Sequence, residues 1–60
     1  MDNKEEFRVG QRVFFPVMKG INAFGRIIEI HPENSSVLIL SDKYLDTYER
    51  LMCDVTVVKE

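Results

Sequence analysis

The chain has few of the residues that stabilise small proteins without a large core. It contains one cysteine, Cys53, and no tryptophan among its 60 residues. A single cysteine excludes a disulfide within the chain, and we expect Cys53 to be a small buried side chain, as free cysteines usually are. An unpaired thiol also favours a reducing compartment. Because a domain of this length buries only about 60% of its unfolded surface, its core has to be efficiently packed.

Long apolar runs are also absent from the sequence. No segment approaches the roughly 20 consecutive apolar residues that a membrane-spanning helix needs. Residues 1–6 are polar and mostly acidic, and they lack the apolar stretch of a secretory signal. We therefore predict a soluble, cytoplasmic protein with a disordered tail over residues 1–6 and a single domain over residues 7–60.

Residues that carry catalytic or metal chemistry are scarce. His31 and Cys53 are only two soft ligands, short of the three or four that zinc requires. There is no Gly-x-Ser-x-Gly nucleophile and no glycine-rich phosphate loop. A domain this small also leaves little room for a ligand pocket of roughly 300 Å³. We therefore expect a protein that is not an enzyme and that holds no cofactor and no metal.

The charges are distributed unevenly along the chain. Residues 7–28 carry four bases and no acid, whereas residues 29–60 carry seven acids and three bases. Such an asymmetry indicates either an electropositive face or ordinary solvated strand surface. The overall charge of −2 and the pI near 5.3 count against nucleic-acid binding. The candidate nucleic-acid-binding residues are the four bases Arg8, Arg12, Lys19 and Arg26.

Apolar residues with a period of two predict a first strand near the N-terminus. Its inward positions are predicted to be Val9, Val13, Phe15 and Val17. Its outward positions are predicted to be Arg8, Arg12 and Phe14. Pro16 cannot donate a ladder hydrogen bond, so the strand is expected to end there or to lie at an edge. Residues 17–23, which include Gly20 and Asn22, are predicted to form a loop.

A second and a third strand are predicted to form a hairpin. The second covers residues 24–31, where Ile27 and Ile30 can face one core only if a bulge lies near Ile28 or Glu29. The turn-forming residues 31–35 separate it from the apolar run of residues 37–40.

The last third of the chain predicts a helical turn and a final strand. Asp46 and Glu49 have the spacing of a capping box, which predicts a helical turn over residues 47–51. Residues 54–59 are predicted to form the last strand. Closing short strands into a barrel removes exposed edges. The fold class is therefore predicted as mainly β, a small SH3-like barrel of four to five strands with one short helical turn before the last strand.

Two stretches resemble known families. FRVGQRVFFPV at residues 7–17 and GRIIEI at residues 25–30 resemble the first two strands of the Tudor-like, RNA-polymerase-interacting domain of CarD-type transcription regulators. Residues 9–40 are also similar to a KOW module. The spacing of Tyr48, Leu51 and Asp54 is similar to that in the small YkvS-like proteins of Gram-positive bacteria. All three families imply an SH3-like barrel. The CarD-type resemblance implies a protein partner such as RNA polymerase or another component of nucleic-acid machinery.

The apolar residues around the predicted loop are the candidate partner-binding site. They are too many for all to face so small a core, and loops often carry function. The candidates are Phe14, Val17, Met18, Lys19, Ile21 and Phe24. We expect a non-catalytic protein-binding module with a regulatory or adaptor role in transcription or related machinery, which a sheet-edge pairing mode would suit.

Three alternatives stay open from the sequence alone. In the first, the protein is a KOW-like module that binds RNA or DNA through its basic half. In the second, it is a homo-oligomer whose loop is the subunit interface. A third reading is a methyl-ammonium cage or stacking surface built from Phe14, Tyr44 and Tyr48.

Overall fold

The protein folds into one five-stranded antiparallel sheet. The computed structural model describes residues 7–58, and the predicted tail over residues 1–6 lies outside them. The strands are β1 (Arg12–Met18), β2 (Ile21–His31), β3 (Ser36–Ser41), β4 (Thr47–Leu51) and β5 (Thr56–Val57). Their order in the sheet is β4-β3-β2-β1-β5. The mainly β class is therefore confirmed. Within residues 7–58, no helix has the length and apolarity to cross a membrane.

The first strand alternates as predicted but starts later. Val13, Phe15 and Val17 are buried, and Phe14 points outward. The prediction that Val9 faces the core is wrong, because its side chain is 65% exposed. Val9 and Gly10 form a turn in which Gly10 has φ of +91° and the Gln11 amide donates to the Arg8 carbonyl, so β1 begins only at Arg12.

The loop predicted over residues 17–23 is wrong. β1 continues through Pro16 to Met18, and β2 starts at Ile21 directly opposite Met18. Only two residues join the strands, and Gly20 supplies the positive φ of +80° that a tight hairpin turn needs. The register shifts between Pro16 and Met18, so a bulge at Val17 accommodates the proline within a paired strand.

The bulge predicted in β2 is confirmed. The pairing with β3 shifts register between Ile27 and Glu29. Ile27 is fully buried, Ile28 is exposed, and Ile30 packs against the core on the same side as Ile27. The β2–β3 hairpin is also confirmed, and a 3₁₀ turn over Pro32–Asn34 joins its strands.

The helical turn predicted over residues 47–51 is wrong. This segment is β4, which pairs with β3 from Leu40 opposite Thr47 to Ser36 opposite Leu51. Instead of capping a helix, the Asp46 carboxylate accepts a hydrogen bond from the adjacent Thr47 amide at 2.9 Å. The helical turn before the last strand lies at Met52–Asp54 and has 3₁₀ geometry.

Two further expectations for the C-terminal part need correction. Cys53, expected to be buried, is exposed because the 3₁₀ turn that carries it lies outside the paired strands. The last strand, predicted over residues 54–59, starts later than predicted: Asp54 ends the 3₁₀ turn and β5 begins at Thr56. Within the described residues, Thr56 and Val57 pair with β1 and the Val58 amide donates to the Arg12 carbonyl at 3.0 Å, whereas residue 59 lies outside them.

The sheet is strongly curled around its core. β1 and β4 are three strand positions apart, which is roughly 14 Å in a flat sheet. Nevertheless the rings of Phe15 and Tyr48 have centroids 5.6 Å apart, and Arg50 of β4 donates a hydrogen bond to the Pro16 carbonyl of β1. The buried apolar core consists of Val13, Phe15, Val17, Ala23, Ile27, Val37, Ile39 and Val55.

Candidate binding surface

Two phenylalanines on neighbouring strands form the centre of the outer sheet surface. Phe14 of β1 lies directly opposite Phe24 of β2. Their ring centroids are 4.9 Å apart and the ring planes are inclined at 53°. Tilted cross-strand aromatic pairs of this kind contribute to sheet stability. Both rings nevertheless remain accessible, with 36% of Phe14 and 44% of Phe24 exposed.

Two arginines lie opposite each other at one end of this aromatic pair. Arg12 lies directly opposite Arg26 in the β1–β2 register, two residues from Phe14 and Phe24 respectively. Like charges placed opposite each other destabilise a sheet unless they find partners. Arg26 donates from Nη1 to the Gly10 carbonyl at 3.1 Å.

The Arg12 side chain extends from β1 across β2 to the carboxylate of Asp42. Its guanidinium carbon lies 5.3 Å from the centroid of the Phe24 ring, and its Nη2 lies 3.2 Å from Oδ2 of Asp42. Asp42 directly follows β3, and its amide donates to the Phe24 carbonyl at 3.0 Å. The Arg12–Asp42 ion pair therefore spans the Phe24 ring, with a cation–π contact beneath it.

The outer surface also carries aliphatic area next to the arginines. Leu40 of β3 pairs with Arg26 and is exposed. We call the surface formed by Phe14, Phe24, Arg12, Arg26 and Leu40 the aromatic face. It has an apolar centre with a basic border, and exposed apolar patches with polar borders commonly mark interaction sites.

The structure distributes the predicted partner-binding residues over three places. Phe14 and Phe24 lie on the aromatic face. Val17 is buried in the core, so its selection as a contact residue was wrong: it occupies an inward position of β1. Met18, Lys19 and Ile21 lie at the tip of the β1–β2 hairpin and are exposed.

The hairpin tip is distinct from the aromatic face. Ile21 has the strand parity of the buried Ala23 and not that of Phe24, although its side chain is 42% exposed. Met18 and Ile21 lie opposite each other where the strands meet the turn. These two residues and Lys19 stay candidate contact residues.

The four predicted nucleic-acid-binding bases do not form one cluster. Arg12 and Arg26 are neighbours, but Lys19 sits in the hairpin turn, roughly 20 Å from Arg12 along β1 at the rise of an extended strand. Arg8 lies before the turn that contains Gly10. A continuous phosphate-binding track would need these charges closer together.

The proposed cage of Phe14, Tyr44 and Tyr48 is not assembled. Tyr48 packs its ring against Phe15 on the core side of the sheet, whereas Phe14 is on the outer side. Tyr44 lies in the segment between β3 and β4. Among residues 7–58, the rings in contact are Phe14 with Phe24 and Phe15 with Tyr48.

Sequence reasoning missed three residues that organise these surfaces. Asp42 holds Arg12, Leu40 extends the aromatic face, and Arg50 links β4 to β1. Only the strand register reveals the first two, and the third depends on the curl of the sheet.

His31 lies between two carboxylates, 3.0 Å from Glu29 and 3.6 Å from Glu33.

In the part of the chain that the structure describes, no group of three or more histidine, cysteine, aspartate or glutamate side chains is placed to hold a metal ion. No protein-family model, curated protein or solved structure matches this chain.

Proposed function

We propose that this protein is a small non-catalytic module that binds another protein through its aromatic face. The observation that carries the proposal is the exposed Phe14–Phe24 pair bordered by Arg12 and Arg26. Aromatic residues and arginine are enriched in protein interfaces and at their energetically dominant positions. The core is filled by other residues, so the fold itself does not require two accessible rings at these positions.

The arrangement favours a protein over a nucleic acid as partner. Bases of single-stranded nucleic acids stack on accessible ring faces beside a continuous basic groove. Here the Arg12 guanidinium lies over the Phe24 ring, and the two rings are inclined to each other. The separation of Lys19 from the arginines also interrupts any basic track.

The resemblance of residues 7–17 and 25–30 to CarD-type domains supplies the class of partner for this proposal. It implies an SH3-like barrel that attaches to a component of the transcription apparatus or of another nucleic-acid machine. The protein then has a regulatory or adaptor role.

The experiment that tests the proposal is capture of partners from a native lysate with a tagged full-length chain. Wild type is compared with Phe24→Ala and with Leu51→Ala, which truncates a similarly exposed apolar side chain on β4. A protein partner that survives nuclease treatment, depends on Phe24 and does not depend on Leu51 supports the proposal. Equal capture by all three proteins contradicts it.

The same preparations separate the two alternative functions. A partner set that disappears on nuclease treatment supports nucleic-acid binding through Arg12 and Arg26. Light scattering tests the third function: wild type that is oligomeric and Phe24→Ala that is monomeric assign the aromatic face to a homo-oligomer interface.

A further inference from the structure

We propose that the aromatic face binds an extended acidic segment of a partner protein, in which a carboxylate and an apolar side chain lie two residues apart and point to the same face. This inference rests on the proposed function and adds the chemistry of the partner. Two observations support it: the spacing of the rings and arginines on β1 and β2, and the ion pair between Arg12 and Asp42.

The spacing of the aromatic face matches an extended chain. On each strand one arginine and one phenylalanine are two residues apart, as Arg12 and Phe14 are on β1 and Arg26 and Phe24 are on β2. Side chains two residues apart on a strand point to the same face and lie roughly 7 Å apart. An extended partner that carries an acidic and an apolar side chain at positions i and i+2 has the same spacing.

Asp42 shows how a carboxylate is held at this surface. Its Oδ2 lies 3.2 Å from Nη2 of Arg12, beside the exposed ring of Phe24. Both side chains of this ion pair are partly exposed, 36% for Arg12 and 44% for Asp42, so a partner carboxylate can replace Asp42. Arginine suits this exchange because its planar fork accommodates carboxylates with two parallel hydrogen bonds.

Arg26 offers a second position for an acidic side chain. Its Nη1 donates to the neutral carbonyl oxygen of Gly10, which leaves the positive charge of the guanidinium in place. Leu40 lies next to Arg26 across the β2–β3 pairing and adds apolar surface. The two arginines therefore border the rings at one end, and an extended segment meets both charge and apolar area.

The test uses three fluorescein-labelled peptides of equal length and one labelled oligouridylate. In the first peptide aspartate and leucine are placed two residues apart, at positions i and i+2, with serine between them, so that both point to the same face of an extended chain. Asparagine replaces aspartate in the second peptide and lysine replaces it in the third. We expect the aspartate peptide to bind about two- to fivefold more tightly than the asparagine peptide, because an exposed ion pair is worth at most about fivefold and the pair formed with Arg12 replaces its pair with Asp42. The lysine peptide and oligouridylate are expected to bind more weakly still.

Asp42 provides a gain-of-affinity variant. Asp42→Asn removes the competing carboxylate while its backbone hydrogen bond to the Phe24 carbonyl is retained. We expect this variant to bind the aspartate peptide about two- to fivefold more tightly than wild type. Glu33→Gln is the matched control, because it makes the same change in net charge at the 3₁₀ turn after β2, and its affinity is expected to be unchanged. Adding Arg12→Gln to Asp42→Asn is expected to abolish the gain.

The contrary results are equally specific. The proposal is overturned if the asparagine peptide binds as tightly as the aspartate peptide, if Asp42→Asn gains nothing, or if oligouridylate is preferred. Retained Phe24-dependent capture of a protein from the lysate would then mean that only the acidic partner class is wrong. Loss of that dependence would mean that the proposed function fails as well.

Discussion

Arg50 of β4 donates from Nε to the carbonyl oxygen of Pro16 in β1 at 2.7 Å. Its Nη2 also donates to the Val17 carbonyl at 3.0 Å, and its guanidinium lies over the Tyr48 ring. These contacts join two strands that are not neighbours in the sheet order. Within the described residues, β5 contacts the Arg12–Phe14 part of this edge of β1, and Arg50 occupies carbonyls further along it. Sheet-edge pairing with a partner is therefore not expected there.

The first prediction concerns this link between β4 and β1. Arg50→Lys should lower the free energy of unfolding by about 2 kcal/mol, because one ammonium group cannot reproduce a forked donor that serves two carbonyls. Urea denaturation followed by fluorescence or circular dichroism measures the change.

Arg26→Lys is the control for this experiment, since Arg26 is exposed and makes a single hydrogen bond to Gly10. Its effect should stay within about 0.5 kcal/mol. Equal effects of the two substitutions would mean that the contacts of Arg50 do not hold the curled sheet together.

The second prediction tests which residue of β2 faces the core just before the bulge, with adjacent, chemically identical substitutions. Ile27→Val should lower the free energy of unfolding by about 1 kcal/mol, because Ile27 is fully buried and loses a packed methyl group. Ile28→Val should change it by less than about 0.5 kcal/mol, since Ile28 is exposed. Thermal or urea unfolding of both variants measures the difference, and the reverse ranking would contradict the buried position of Ile27.

The third prediction concerns the close approach of β2 and β3. A Cβ added at Gly25 would lie 2.5 Å from the Leu40 carbonyl oxygen and 2.7 Å from Cγ2 of Ile39. Gly25→Ala should therefore destabilise the protein by about 1–3 kcal/mol through overpacking. Gly20→Asn is a useful comparison, because Gly20 has open space around it and asparagine tolerates its positive φ. A Gly25→Ala variant as stable as wild type would contradict the tight pairing.

Much of the fold follows from local sequence signals. Alternation indicates the inward positions Val13, Phe15 and Val17, and the separation of Ile27 and Ile30 indicates a bulge. The segment over residues 47–51 misleads because Asp46 and Glu49 match a capping box, while pairing with β3 decides its structure. Tertiary pairing commonly overrides such local preferences.

The candidate surface is less accessible to sequence reasoning. Phe14 and Phe24 are visible as apolar residues in excess of what the core needs, but a loop was expected where the hairpin continues. The pairing of Arg12 with Asp42 depends on register across three strands. No short motif encodes a contact between residues so far apart in the chain.

The most direct test of the account is to titrate the captured protein partner into isotopically labelled protein and follow amide and side-chain NMR signals. The account predicts that the largest changes occur at Phe14, Phe24, Arg12 and Arg26, and that Leu51 is unaffected. Changes centred on β4 or on the 3₁₀ turn after β2, with the aromatic face unperturbed, would contradict the claim that this face is the binding site.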